Sequence, residues 1–255
     1  MPAMKPFCKM LLFFLLAPPL LLAAGACEIG AATAADPLPS WNDTAPKQAV
    51  VAFVEKVTRP GSPGFVAEPQ RIAVFDNDGT LWPENPMPFQ LAFAIYSLKE
   101  RAPSHPEWQD DPFVKAILAG DFDTLLADNH KGLLHVLGLT HAGMTVDEFD
   151  ALVKHWMTAD KHPRFEQPYD KLTYQPMQEL LAYLRQNGFK TFIVSGGGAD
   201  FMRVWSERVY GIPPEQVIGS LGQTRFEMRD GKPVLVKTLD HVFVNDKAGK
   251  PVGIQ

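Results

Sequence analysis

Two aspartates stand two positions apart where an apolar run gives way to a turn. Asp76 and Asp78 follow residues 71–75, whose compact apolar character predicts a buried strand. Side chains at positions i and i+2 project to the same side of an extended chain, so the two carboxylates should converge. In open parallel sheets the ligand crevice lies outside the carboxyl ends of the strands. Asp and Gly also favour plain turns, but the four fixed positions of the pattern Asp-x-Asp-Gly-Thr favour a catalytic site.

A second candidate group follows the next predicted core strand, residues 190–194. Ser195 comes directly after that strand, and three glycines follow it. Glycines leave backbone N–H groups free to face an anion, and a helix predicted over residues 199–210 adds the positive end of its dipole. An ordinary loop is the alternative. The place of Ser195, after a strand and downstream of Asp76, favours contact with a phosphate.

The charge and cysteine content of the chain limit the kinds of partner and of active site that we expect. The net charge of −5 and the pI near 5.8 provide no basic stripe for a phosphate backbone, which argues against nucleic acid and favours a small substrate. The two cysteines, Cys8 and Cys27, both lie near the N-terminus. The remainder of the chain therefore cannot be a thiol enzyme or a cysteine zinc site.

The N-terminal segment has the three-part layout of a secretory signal peptide, assigned to residues 1–35. Lys5 and Lys9 precede an apolar run over residues 10–24, and small residues follow it. Prolines interrupt this run and leave it shorter than the roughly 20 residues of a membrane span. We therefore expect export, to a periplasm or to the medium. Cys27 follows a small-residue box similar to that of bacterial lipoproteins, which leaves a lipid anchor there as the alternative.

The remaining pattern predicts an α/β fold with an inserted helical segment. A first helix is expected over residues 44–57, with Thr44 as its cap. The insert should contain helices over residues 89–99, 112–119, 124–137 and 146–157, the last opened by a capping box at Thr145 and Glu148. A helix opened by Pro176, a strand over residues 216–218 and a hairpin around Asp230-Gly231 complete the pattern.

Alternating strands and helices indicate a parallel, Rossmann-like sheet with helices on both faces. The predicted organisation has four parts: a signal peptide (1–35), a linker and helix (36–65), a core (66–83 plus 170–255) and a helical cap (84–169). Because the cap interrupts the core between the two candidate groups, it could close over the site and select the substrate.

Residues 74–80, Val-Phe-Asp-Asn-Asp-Gly-Thr, resemble the first motif of the haloacid dehalogenase superfamily, and the core is most similar to its phosphoserine phosphatase-like branch. The resemblance implies that Asp76 attacks phosphorus to form an aspartyl-phosphate, and that Asp78 protonates the leaving oxygen and later activates water. It further implies Mg²⁺ as the cofactor, with Asp76 and Asp78 as metal ligands. Such a pair divides one difficult displacement into two easier steps.

The same resemblance assigns further residues. Ser195 corresponds to the second motif and, with Gly196 and Thr80, would contact the substrate phosphate. The third motif requires a lysine that balances negative charge. Lys250 is the first choice and Lys247 the second, and an ordinary surface role for either is the alternative.

Together these features predict a magnesium-dependent phosphatase for a small phosphorylated molecule. Two alternatives stay open: a catalytically impaired phosphate-binding or interaction protein, and a phosphomutase. The resemblance also implies a fourth, acidic motif beyond Lys250, whereas the sequence ends at Gln255. We therefore expect a chain cut short before that motif, which leaves the activity of this chain open.

Overall fold

The computed structural model describes residues 35–255, without the side chains of Leu126, Asn129, His130 and Leu239. Its central feature is a four-stranded sheet whose spatial order equals its sequence order: β1 (Ile72–Phe75), β2 (Lys190–Gly198), β3 (Val217–Arg229) and β4 (Lys232–Phe243). The first three strands are parallel, and β4 is antiparallel to β3. The predicted α/β fold with a mostly parallel, Rossmann-like sheet is confirmed.

Residues 1–34 lie outside the described residues. They hold both cysteines and all but the last residue of the predicted signal peptide. Export and the alternative lipid anchor at Cys27 therefore stay predictions. Within residues 35–255, no helix combines the length and the apolar character needed to cross a bilayer.

The first strand is less buried than its apolar sequence predicts. Phe75 is buried, but the side chains of Ile72 and Val74 are about half exposed, at 56% and 51%. Ile72 and Val74 project to the same face of β1, which is left partly uncovered, and β1 pairs only with β2 among the described strands. An apolar run shows that a strand can be covered on both faces, but not that it is.

The second and third strands are longer than predicted. β2 continues through Ser195 and the glycines to Gly198, so this segment is an irregular strand end and not a loop. Gly219 of β3 permits a close approach between β2 and β3, since a Cβ at this position would lie 2.6 Å from the carbonyl oxygen of Gly197. β3 joins the strand expected at 216–218 to the first arm of the hairpin. The hairpin turn itself is confirmed, with left-handed backbone at Asp230 and Gly231.

Helix α1 (Ala45–Thr58) precedes the sheet. Four α-helices lie in the inserted segment, close to their predicted bounds: α2 (Phe89–Arg101), α3 (Pro112–Ala119), α4 (Phe122–His141) and α5 (Val146–Ala159). The capping box of α5 is confirmed. The hydroxyl of Thr145 accepts the backbone N–H of Glu148 at 3.1 Å, and the Glu148 carboxylate accepts the backbone N–H of Thr145 at 2.7 Å. Thr44 precedes α1 but does not cap it, because its hydroxyl donates to the carbonyl of Asn42.

The helices that follow the insert differ from prediction in one place. The helix that contains Pro176 is α6 (Gln175–Gln186), as expected. The single helix expected over residues 199–210 is instead two short ones, α7 (Ala199–Arg203) and α8 (Ser206–Tyr210). Trp205 lies at the break and buries its ring against Trp82, with centroids 4.4 Å apart. A final helix, α9 (Gly249–Ile254), follows β4.

One hydrophobic cluster joins the insert to the sheet. Phe93 of α2 packs against Trp156 of α5 and Phe201 of α7, with ring centroids 5.5 and 5.3 Å apart. A second, smaller cluster includes Ile117 of α3 and Val136 of α4. Helices α2 and α5 thus contribute to the main core, while α3 and α4 pack in the second cluster together with Leu98 of α2. The division into core and cap stays a prediction.

Candidate active site

Asp76 and Asp78 lie in a tight turn that follows β1. The carbonyl of Asn77 accepts the backbone N–H groups of Thr80 and Leu81, at 3.1 and 2.8 Å. Gly79 has a φ of +71°, and a Cβ at this position would lie 2.9 Å from the carboxylate of Glu84. The turn therefore requires glycine both for its backbone conformation and for the space beside it.

Asp76 is the more accessible of the two aspartates. Its Oδ1 accepts the backbone N–H of Asn77 at 2.8 Å, and its Oδ2 accepts Nζ of Lys250 at 2.6 Å. Lys250 lies on α9, beyond the last strand of the described sheet. The structure thus brings together the two ends of the core, 174 positions apart in sequence.

Two other lysines that line the cavity are placed differently. Lys247 lines the same cavity as Asp76. Lys237 is 6% exposed, forms an ion pair with Asp200 and lies 4.6 Å from the ring centre of Phe149. Among these three lysines, Lys250 is the one that donates a hydrogen bond to Asp76, and its third-motif role stays a prediction.

Asp78 has a different environment. Its Oδ1 accepts Nε1–H of Trp82 at 2.8 Å. Burial raises the pKa of Asp78, the charges of Asp76 and Glu84 raise it further, and the hydrogen bond from Trp82 opposes them. A carboxyl group in such surroundings keeps its proton to higher pH, which suits a general acid.

Buried aromatic side chains stabilise the turn that contains Asp76 and Asp78. The hydroxyl of Tyr210 donates to Oδ1 of Asn77 at 3.2 Å, and both residues are buried. Burial, with a smaller effect of the charge on Asp78, raises the pKa of Tyr210 well above its ordinary value. The Tyr210 ring also meets Trp205 edge-on, with centroids 5.5 Å apart. This packing fixes Asn77, the residue between the two aspartates.

The end of β2 lies beside the turn. Ser195 is buried, and its Oγ accepts the backbone N–H of Gly197 at 3.1 Å. A Cβ on Gly197 would lie 3.6 Å from Oδ2 of Asp78, so β2 and the β1 turn are in close proximity. The expectation that the glycine N–H groups are free for an anion is wrong for two of them, because Gly198 N–H also has an acceptor, Oε1 of Gln90, at 2.7 Å.

The helix that was expected to add its dipole is also shorter than predicted. α7 has five residues, so its contribution to anion binding is small. Thr80 lies in the β1 turn and is not among the residues that line the cavity described next. Gly196 does line it, and a Cβ there would lie 3.4 Å from Asp246.

A cavity of about 910 Å³ opens at the carboxyl ends of β1 and β2. One end is polar and is lined by Asp76, Asp78, Ser195, Gly196, Asp246 and Lys247. Leucines of α4 line a separate part of the cavity, its apolar end. In the part of the chain that the structure describes, no three His, Cys, Asp or Glu side chains are grouped as a metal site.

Two polar residues near the site carried no recognisable motif. Asn245 is fully buried, and its Nδ2 donates to the carbonyl of Ser195 at 2.9 Å. Gln90 holds Gly198, as described above. Asn245 and Asp246 follow β4 as a polar pair after a strand, the same signal that marked Asp76. Gln90 lies on a helix of the insert, and only the folded structure connects it to β2.

Comparisons with known proteins give distant structural likenesses and a family. No curated protein matches the chain. A conserved protein of unknown function from Anaerococcus prevotii has a TM-score of 0.49 at 14% identity, and the match covers 82% of this chain and 75% of that one. A phosphoserine phosphohydrolase-like protein from Francisella tularensis has a TM-score of 0.35 at 18% identity, with 65% and 64% covered.

A third likeness is to a HAD family hydrolase from Salmonella enterica, with a TM-score of 0.37, 19% identity and coverage of 73% of this chain and 51% of that one. These structures are too distant to inform the details of the site. The family comparison is direct, since the profile of the haloacid dehalogenase-like hydrolases matches residues 73–248. This range holds the β1 turn, the end of β2 and β4, and the chain belongs to the haloacid dehalogenase-like hydrolase family.

Proposed function

We propose that the protein is a magnesium-dependent phosphatase that hydrolyses a small phosphomonoester through an aspartyl-phosphate on Asp76. The observation that carries this proposal is the contrast between two carboxylates of one turn. Asp76 is accessible and paired with Lys250, whereas Asp78 is partly enclosed and has a raised pKa. A nucleophile must meet the substrate, and an acid must hold its proton at working pH.

In the first half of the proposed reaction, a carboxylate oxygen of Asp76 attacks phosphorus, and the bond from phosphorus to the substrate oxygen breaks. Asp78 donates its proton to that oxygen, so the product leaves as an alcohol. The ammonium group of Lys250 lies at hydrogen-bond distance from Asp76 and offsets negative charge that develops there.

In the second half, the ionised Asp78 takes a proton from water, and the water oxygen attacks phosphorus of the aspartyl-phosphate. The bond between phosphorus and Asp76 breaks, which releases inorganic phosphate and restores both carboxyl groups. In this proposal Ser195 holds the phosphoryl group during both halves. Its Oγ accepts the N–H of Gly197, and no acceptor for its hydroxyl proton is found among residues 35–255. That proton is available to a phosphoryl oxygen.

The oxygen donors at this end of the cavity fit magnesium in kind. Mg²⁺ favours one or two carboxylates with waters and substrate phosphates; Asp76 supplies one carboxylate, and Asp78 would contribute its backbone carbonyl, which leaves its carboxyl group for proton transfer. When bound there, the ion would neutralise charge on the phosphoryl group. Asp246 lines the same end and is a third oxygen donor nearby.

The test is phosphate release from a panel of phosphomonoesters, with magnesium and with a chelator. We expect release that requires both magnesium and Asp76, with free alcohol and inorganic phosphate as the products. Product analysis also separates hydrolysis from a phosphomutase, which would return the phosphoryl group to the substrate. Release that persists in Asp76→Asn would overturn the proposal.

A further inference from the structure

Helix α4 has apolar side chains on two of its faces. Val136 is buried in the smaller hydrophobic cluster with Ile117 of α3, and Leu125 belongs both to this cluster and to the cavity lining. Leu133, Leu134 and Leu137 are only partly buried, and they line the cavity that contains the aspartates. Residues four apart lie one above another on a helix, so Leu133 and Leu137 form part of one continuous apolar strip.

This strip and the polar end belong to the same cavity. Asp76, Asp78 and Ser195 line one end, and the α4 leucines line the other. A phosphomonoester with its phosphoryl group at Asp76 would therefore extend its alcohol portion into the space beside α4. Apolar wall surface that faces water gains free energy when an apolar group covers it.

Charged groups near this wall are already engaged or neutral. The ammonium of Lys237 is paired with Asp200 and packed against Phe149. Nε2 of His141 is buried and has no hydrogen-bond partner in the described part of the chain. Burial, together with the charges of Lys237 and Arg101, lowers the pKa of His141 to about 3, so its ring is neutral. Neither Lys237 nor His141 therefore offers a free counter-charge to a second charge on a substrate. Besides the two aspartates of the β1 turn, the other charged residues of the lining are Asp246, Glu84 and Lys247, and the first two of these lie beside Gly196 and Gly79 at the polar end.

We propose that the substrate is the phosphomonoester of an apolar alcohol, whose hydrocarbon portion lies against Leu133, Leu134 and Leu137. This rests on the proposed function and names its substrate class. We expect phosphorylated amino acids and sugars to bind less tightly, because their charged or hydroxyl-rich portions would lose hydration at the α4 leucines without gaining partners from them.

Binding of alkylphosphonates tests this class without requiring turnover. Methyl-, butyl- and octylphosphonate would be titrated into the wild-type protein by calorimetry with magnesium present. We expect Kd to fall about three- to fourfold for each methylene that becomes buried, with a heat-capacity change that grows more negative along the series. Equal affinity along the series, or tighter binding of a phosphonate that carries amino and carboxylate groups, would overturn the proposal.

This design separates the substrate class from the proposed function. If no phosphomonoester is hydrolysed but affinity rises with chain length, the function fails and the apolar site stands. If phosphomonoesters are hydrolysed with no dependence of affinity or kcat/KM on chain length, the function stands and the apolar site is wrong.

Substitutions on α4 test whether its leucines cause the dependence of affinity on alkyl chain length. Leu137→Gln should reduce the ratio of octyl- to methylphosphonate affinity at least about tenfold, because a polar amide would replace apolar wall. Leu118→Gln is the matched control, since Leu118 is 52% exposed on α3 and does not line the cavity. An unchanged ratio in folded Leu137→Gln would overturn the assignment to α4. If circular dichroism shows that this variant is unfolded, Leu133→Gln replaces it under the same criteria.

Discussion

The two ends of the cavity differ in how they are built. The polar end is formed by short backbone segments, the β1 turn and the end of β2, where neighbouring positions carry the functional groups. The apolar end is formed by Leu133, Leu134 and Leu137 of α4, a helix that lies between the β1 turn and β2 in sequence. The comparison teaches that chemistry can be concentrated in a local motif, whereas recognition of the rest of a substrate depends on how distant elements pack.

The largest expected effect is at the polar end, in Asp76→Asn. This change keeps the shape of the side chain but removes the carboxylate that attacks phosphorus. We expect kcat/KM for phosphomonoesters to fall by several orders of magnitude, as for the loss of other covalent nucleophiles. The matched control is Glu84→Gln, which converts another carboxylate of the same cavity to an amide and should have a far smaller effect. Similar losses in the two variants would contradict a nucleophilic role for Asp76.

Asp78→Asn should have the next largest effect and a different kinetic signature. It removes the proton donor and acceptor, a contribution of about a hundred- to ten-thousand-fold. Because Asp76 remains able to attack substrates that have good leaving groups, phosphoenzyme should accumulate. Burst kinetics with an activated aryl phosphate would show this as an initial product release followed by slow turnover. A proportional loss of both phases would argue against a role in breakdown of the intermediate.

Lys250→Met should reduce kcat/KM by about a hundred- to thousandfold, a loss typical of removing one group that stabilises developing charge. The length of the side chain is kept while the ammonium group at 2.6 Å from Asp76 is lost. Lys247→Met is the matched comparison, since Lys247 also lines the cavity and was the second choice from the sequence. A larger loss in Lys247→Met would assign the third-motif role to Lys247 instead.

The smallest effect is expected at the apolar end, in the pH dependence of stability. The pKa of His141 is lowered from 6.5 to about 3 in the folded chain. Between these two pH values the unfolded chain binds a proton at His141 that the folded chain does not bind. The contribution of His141 to stability is therefore present above about pH 6.5 and is lost as pH falls towards 3. His141→Leu removes this dependence.

Urea unfolding of the wild type and of His141→Leu across this pH window measures the difference. We expect the free energy of unfolding of the wild type to fall, relative to that of the variant, as pH decreases below about 6.5. A difference that stays constant with pH would mean that His141 takes up a proton as readily in the folded chain as in the unfolded chain. The wall beside α4 would then carry a charge, which would weaken the contrast between the two ends.

The sequence predicts the polar end of the cavity better than the apolar end, for a physical reason. The turn at Asp76 and Asp78, the capping box at Thr145 and the Asp230-Gly231 hairpin depend on neighbouring residues, and local patterns record such features. The bounds of α3 and α5 were predicted closely on the same basis.

Features set by distant contacts were predicted poorly. The exposure of Ile72 and Val74 depends on which neighbours cover β1, and the extension of β2 through its glycines depends on its pairing with β3. Gln90 reaches β2 from α2, and no local pattern marks that contact. The sequence pattern of the α4 leucines is typical of ordinary helix-core positions. Their place in the cavity wall could be known only from the fold.

The central claim, that Asp76 is the covalent nucleophile, is tested most directly by trapping the intermediate. The protein would be mixed with an activated aryl phosphate and magnesium, quenched in acid within the first turnover, and digested for peptide mass spectrometry. We predict a phosphoryl group on the peptide that contains Asp76, located at Asp76 by fragmentation, in larger amount in Asp78→Asn and absent from Asp76→Asn. Turnover with no phosphorylated Asp76 in either the wild type or Asp78→Asn, or a phosphoryl group on another residue, would contradict the account.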